Sequence, residues 1–209
     1  KKAVLLGHSF GGMVSILFSE RYPDKVNANI LIGAPINLQD SFKHIITSSE
    51  QIYKKRDDAA NLNYIKMLKA MDTTSLEYST YSLTHAMQND FYSTENPSEA
   101  SKEIYEALSE HPDASTLANK MTYQAPQGFW QNESYTTLNL KDNLKNSIEN
   151  GVKTYGIYGK EDGLYAPEQI QDLKRLIDED HVGYLDHASH SVFIDQQEQF
   201  ISLLKRWLL

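Results

Sequence analysis

The chain has 209 residues, with 20 Lys and Arg against 28 Asp and Glu, a formal net charge of −8. At 40% hydrophobic and 23% charged it can bury one sizeable core, and neither disorder nor a fibrous repeat is indicated. An acidic balance without basic runs argues against nucleic acid and an anionic membrane surface, no apolar run approaches the ~18 residues of a membrane span, and the absence of Cys removes disulfides, thiol catalysis and Cys-ligated metals.

Lys1 runs straight into Ala3-Val4-Leu5-Leu6 with no signal or transit segment, so the chain is expected to enter partway through a domain. No address is encoded, and cytoplasmic is the default expectation. Ala3 to Leu6 predicts a short strand buried on both faces of a parallel sheet. Gly7-His8-Ser9-Phe10-Gly11-Gly12 then turns into a helix reaching about Arg21, with Met13, Leu17 and Phe18 as its core stripe and Pro23 beyond its end. Asn29 to Ile32 is the next strand, stopped by Gly33-Ala34-Pro35, which completes a βαβ unit.

Between Ile36 and Asn150 there is one glycine, Gly128, and no Val, although the chain has ten Gly and six Val. Strands favour β-branched residues and tight connections favour Gly, whereas long helices avoid both. The sequence therefore divides into a core part at 1–35, a helical cap at 36–150 and a second core part at 151–209. Within the cap, Phe42, Ile45, Ser49 and Ile52 recur at helical spacing, as do Tyr64, Met67, Leu68 and Met71. Asn96-Pro97-Ser98-Glu99 predicts a helix start with Asn96 as N-cap, Pro97 at N1 and Glu99 at N3. Residues 124–139 have weak period and are expected to be loop. Leu140, Leu144 and Ile148 predict a last helix, with Gly151 placed to stop it.

The final part repeats the strand–turn–helix pattern. Thr154 to Tyr158 is a strand ending at Gly159, Pro167 to Ile177 a helix with Pro and Glu in its first turn, and Val182 to Leu185 a strand. Phe193, Phe200, Leu203, Leu204 and Trp207 give the terminal helix its apolar face.

Gly7-His8-Ser9-Phe10-Gly11 matches G-x-S-x-G between a buried strand and a helix. There a sharp turn holds the Ser backbone under strain, with Gly7 and Gly11 leaving room, and exposes Oγ above the helix N-terminus. A serine nucleophile needs a base, and the base an orienting carboxylate. The loop Gly159-Lys160-Glu161-Asp162 offers two acids, Asp162 and Glu161. The stretch Leu185 to Phe193 offers two bases, His187 and His190. Spacing alone leaves both choices open. His187 and His190 with Asp186 have the residue types of a metal triplet, but helical or strand spacing and further ligands are missing, so no metal is expected.

These residues resemble an α/β-hydrolase with a helical cap: the Gly7 to Gly12 elbow, the Gly159-x-x-Asp162 turn, and the run His190 to Gln196, with Ser189 where the family usually has Gly. The resemblance implies a parallel sheet flanked by helices, with an inserted all-helical cap. It selects Asp162 and His190 as acid and base for Ser9, and gives the Phe10 N–H to the oxyanion hole. It also implies eight strands, with the elbow after the fifth. The first four, and the loop donating a second oxyanion N–H, have no counterpart in this sequence, so a missing N-terminal half of the fold is an expected partner.

The activity implied is that of a serine hydrolase cleaving an ester, lactone or thioester of a small molecule through an acyl-enzyme, without cofactor. An alternative is an aminopeptidase similar to proline iminopeptidases, acting on a short peptide, for which Glu133 after Phe129-Trp130 is the carboxylate candidate. His8 departs from the usual elbow of that family. His8, Phe129, Trp130 and Glu133 are the candidate substrate-binding residues. A third reading is a non-catalytic member that keeps the pocket as a ligand-binding module.

Overall fold

The computed structural model describes residues 1–113 and 123–209. Four strands form one parallel sheet in chain order: β1 (Ala3–His8), β2 (Val26–Ile32), β3 (Lys153–Gly159) and β4 (Val182–Leu185). Parallel neighbours need crossovers, and helices fill them. α1 (Phe10–Arg21) joins β1 to β2. Between β2 and β3 lie α2 (Leu38–Lys55), α3 (Ala59–Lys69), α4 (Leu76–Gln88), α5 (Glu99–Glu110), α6 (Gln124–Glu133) and α7 (Lys141–Glu149). α8 (Pro167–Ile177) joins β3 to β4, and α9 (Val192–Asp195) and α10 (Gln197–Leu208) follow.

β2 alternates between two cores, as a strand covered on both faces must. Leu31 packs with Met13 and Ile16 of α1, Leu144 of α7 and Leu173 of α8. Ile30 and Ile32 face the other way, toward Val192 and Phe200. The inserted helices carry a third cluster, Phe42, Ile46 and Tyr53 of α2 against Ile65, Leu68 and Tyr78. Where the insertion leaves and rejoins the sheet its two ends are paired: Asn37 bridges Asn139, and Leu140 N–H donates to Ile36 O at 2.7 Å.

Several expectations are corrected. Of Ala3 to Leu6, expected to be buried on both faces, Val4 and Leu6 alternate onto one face of β1 and are exposed there, and within the strand only Gly7 is buried; β1 is paired on one side only, by β2. On α1, Met13 and Ile16 turn inward with Ser15 and Ser19, small enough to let the helix approach the sheet; Leu17 and Phe18 face outward. Residues 124–133 are helical; none is buried, so no apolar stripe marks them in the sequence. The N-cap of α5 is Ser98, whose Oγ accepts Ser101 N–H at 3.1 Å, and Glu99 is its first residue. Elsewhere α8 and β4 span the expected residues, while Phe193 sits in α9, apart from the terminal helix.

Among the described residues, no helix is long and apolar enough to cross a membrane.

Candidate active site

Ser9 lies between the end of β1 and the start of α1 with φ 53° and ψ −125°. A non-glycine residue rarely holds such a backbone, and it persists only where its surroundings fix it. They do: Ser9 N–H donates to Ile32 O at 2.9 Å, and Ser9 O accepts Gly12 N–H at 2.9 Å. Room for the turn comes from Gly7 and Gly12, not Gly11. A Cβ on Gly7 would sit 2.6 Å from Gly12 Cα, and one on Gly12 would sit 2.2 Å from Ala34 Cβ, whereas Gly11 faces open space. Phe10 is the first residue of α1, where helix geometry leaves the N–H without an intrahelical acceptor.

The two rival acids and two rival bases sort into separate pairs. His190 Nδ1 lies 2.9 Å from Asp162 Oδ2, and the two residues are each 5% exposed. Asp162 Oδ1 accepts Leu164 N–H at 3.1 Å, so both carboxylate oxygens are engaged. With Nδ1 on the carboxylate, Nε2 is the nitrogen free to act as base. His187, by contrast, is exposed and approaches Glu161, Nδ1 to Oε1 3.4 Å. Glu161 also accepts Thr94 Oγ1–H and Glu95 N–H, and these bonds, Thr94 foremost, hold its carboxyl below the usual range. Asp186 is bound to Lys160 at 2.8 Å. The His-x-x-His pair therefore diverges.

The acid and base loops are stitched together by backbone. Lys160 N–H donates to Leu185 O and Glu161 N–H to Ala188 O, both at 2.9 Å. Gly159 permits this, since a Cβ there would lie 2.1 Å from Ala188 O.

Aromatic rings connect the pair to Ser9. Tyr92 stands edge-on to His190 at 5.2 Å, and Tyr165 lies 6.3 Å from the same ring. Both also line a cavity of about 130 Å³ that opens on Ser9, walled mainly by Phe10, Met13, Phe42, Ile45, Leu83 and Leu164. Burial first and the Asp162 charge second push both tyrosine hydroxyls up. Two larger cavities, about 240 and 410 Å³, include none of Ser9, Asp162 and His190 in their walls. Nothing in the sequence marks Tyr92 or Tyr165, because their approach to His190 is set only by the path of the chain.

The expected substrate contacts lie outside the wall of the Ser9 cavity. His8 instead packs on the base loop: its Nε2 donates to His190 O at 3.0 Å, and its ring is 4.8 Å from that of His190. Burial and the neighbouring His190 lower the His8 pKa. Phe129 is exposed and touches Phe10, centroids 5.0 Å apart, so it sits over the elbow without entering the cavity. Trp130 Nε1–H donates to Thr74 O at 2.9 Å, and Glu133 is exposed at the end of α6.

A strained Ser at a strand-to-helix turn after β1, with a buried His–carboxylate pair supplied by the loops after β3 and β4, matches the site plan of a hydrolase built on an open parallel sheet. The family model of the alpha/beta hydrolase fold matches residues 1–197, and the chain belongs to that family. No curated protein matches it. Among solved structures it is similar to a proline iminopeptidase-related protein from Thermus thermophilus, with TM-score 0.61 and 18% identity over 99% of this chain and 64% of that one. It is similar also to VinJ, with TM-score 0.55 and 16% identity over 99% and 65% of the two chains. A carboxylesterase structure from the thaumarchaeon Nitrososphaera gargenis gives TM-score 0.52 and 18% identity over 99% and 64%. The chain thus spans just under two thirds of the length of these structures.

Proposed function

We propose that the protein is a serine hydrolase that cleaves the acyl bond of a small ester, lactone or thioester. The observation that carries this reading is the buried Asp162–His190 pair, its Nδ1 bond at 2.9 Å, beside the strained Ser9 turn. Ser9 Oγ attacks the carbonyl carbon while His190 Nε2 takes its proton. The carbonyl electron pair moves onto oxygen, toward the Phe10 N–H. Collapse expels the leaving group, which receives the proton from Nε2, and water repeats the sequence on the acyl-enzyme. Asp162 keeps the Nδ1–H tautomer and balances the imidazolium as it forms.

The cavity supports an uncharged, short acyl group. Among the described residues its walls are largely apolar and include no Asp, Glu, Lys or Arg, and about 130 Å³ is well below the ~300–1,000 Å³ of common ligand pockets. The aminopeptidase reading needs a carboxylate for a free amine, and its candidate, Glu133, is solvated. A purely ligand-binding role would leave the strain at Ser9 without use. The inserted helices α2, α4 and α6 are the cap of this site, and Phe129 against Phe10 limits the size of the leaving group.

The same reading requires a second oxyanion donor. It assigns this donor to further strands of the same fold, supplied by another segment or chain and docked on β1. In support, β1 has a free edge among the described residues, and exposed apolar side chains flank it, Val4 and Leu6 on one face of the sheet and Leu17 and Phe18 on α1 at the other.

The test is to label the protein with a fluorophosphonate and then assay p-nitrophenyl esters of graded chain length beside proline β-naphthylamide. Labelling at Ser9 with turnover of short esters is the expected result. Preferential turnover of the amide would favour the aminopeptidase, and absence of labelling in the complete assembly would overturn catalysis at Ser9.

A further inference from the structure

The stretch from Phe91 to Tyr105, within the insertion, is tied at several points to the two loops that carry Asp162 and His190. Phe91 O accepts Gly163 N–H at 2.9 Å, and Thr94 Oγ1–H goes to Glu161. Ser101 Oγ–H points at Ile194 O and Asp195 O, 3.2 and 3.3 Å away. Tyr105 OH donates to Asp195 Oδ1 at 3.0 Å. Asp195 is 3% exposed. Its other oxygen, Oδ2, accepts the Ser189 N–H at 2.8 Å and the Ser189 Oγ–H as well.

We propose that Asp195 is a positioning residue for His190, and that Tyr105 makes this hold depend on how α5 is seated. The proposal rests on His190 being the base of the reaction proposed above. Ser189 is bonded directly to His190, so a carboxylate that takes both its donors fixes the peptide on the N-terminal side of the base. His8 Nε2 fixes the carbonyl on the other side. The backbone of His190 is thereby clamped at both ends, and Asp162 has only to orient the ring. A buried carboxylate is tolerable only when donors satisfy it. Here two come from Ser189 and the third comes from the cap. Withdrawal of Tyr105 leaves Oδ1 short of a partner, and the carboxylate can turn away from Ser189 to find one. Burial and the Asp195 charge push the Tyr105 hydroxyl to about 12, so it remains a donor across the ordinary pH range. A glycine at 189 would offer the N–H alone; the serine hydroxyl adds the second donor.

The experiment compares Tyr105→Phe, Asp195→Ala and Asp195→Asn in the full protein assembly, by ester kinetics and by the downfield proton resonance of His190 Nδ1–H. Expected is a fall in kcat of about 5–10-fold for Tyr105→Phe and about 10²-fold for Asp195→Ala, with KM within about twofold. Asp195→Asn, which can still accept from Ser189, should recover most of the loss. The His190 resonance should weaken or broaden in Asp195→Ala and persist in Asp195→Asn. Unchanged kcat and resonance in Tyr105→Phe, or equal losses in Asp195→Ala and Asp195→Asn that follow melting temperature, would overturn the proposal. If Asp195→Ala does not fold, Tyr105→Phe, at a partly exposed side chain, carries the test. The resonance reads the His190–Asp162 bond without turnover, so it decides the proposal even for a protein that cleaves no ester.

Discussion

His187 Nδ1 lies 3.4 Å from Glu161 Oε1, so a second His–carboxylate pair runs alongside the buried one, shifted by one residue in the acid loop and three in the base loop. The difference between the pairs is burial. Asp162 and His190 are both buried, with Tyr92 and Tyr165 against the His190 ring, whereas the His187 ring stands in solvent, where an ion pair contributes little.

Substitutions should separate the two pairs in ester turnover. Ser9→Ala is expected to lower kcat by roughly 10⁶-fold and Asp162→Asn by about 10⁴-fold, with folds intact by circular dichroism. His187→Ala should stay within about threefold of the unsubstituted protein, since it touches neither Ser9 nor Asp162. Retained ester turnover in His190→Ala, with loss in His187→Ala, would reverse the assignment.

Glu161 should make stability depend on pH. Its folded-state pKa is depressed, chiefly by Thr94, so its contribution is present above the unfolded carboxylate value of about 4.3. The contribution is lost as pH falls through the lower folded value. Melting temperatures of the unsubstituted protein and Glu161→Gln are expected to differ at neutral pH and to converge in acid. A difference that stays constant as pH falls well below the carboxylate range would show that the ionised form is not what stabilises.

The elbow glycines should not be equivalent. Gly12→Ala places a methyl 2.2 Å from Ala34 Cβ and is expected to cost about 1–3 kcal/mol in urea melts. Gly11→Ala meets nothing within contact and should gain up to about 1 kcal/mol from helix propensity. Ala34→Gly should rescue Gly12→Ala. The opposite order of the two glycine variants would mean the turn is packed differently.

Filling the Ser9 cavity should shift acyl preference. Leu83→Phe or Ile45→Phe intrudes into about 130 Å³ and is expected to reduce kcat/KM for butyryl or longer esters roughly tenfold more than for acetyl esters. Equal losses on all chain lengths would place the acyl group elsewhere.

The edge of β1 that is unpaired among the described residues should govern association. Residues 1–209 alone are expected to self-associate in sedimentation, and Leu6→Lys, on an exposed edge position, should reduce this. A monodisperse chain with ordinary ester turnover would remove the need for further strands.

Much of the architecture is legible in local composition. Val and Gly are confined to the two flanks, Gly128 apart, because β-strands and tight turns select them, and this locates β2, β3 and β4 with the helices between. The Ser9 turn is legible because its strain requires small neighbours within a few residues, which Gly7 and Gly12 supply. Helix α8 announces itself by Pro167 at its start and an apolar stripe along one face. What fails are features set by distant partners. Leu17 and Phe18 have the period of a core stripe, but which face of α1 is buried depends on where the sheet lies. Helix α6 packs on other elements without burying a residue, so it leaves no hydrophobic period. The two acids are neighbours and the two bases lie three residues apart, and only the fold of the two loops pairs Asp162 with His190 and Glu161 with His187. The contacts of Tyr92 with His190 and of Tyr105 with Asp195 join residues 90 or more apart in sequence. Such contacts follow from how the inserted helices settle on the sheet, a relationship that local propensity and spacing do not encode.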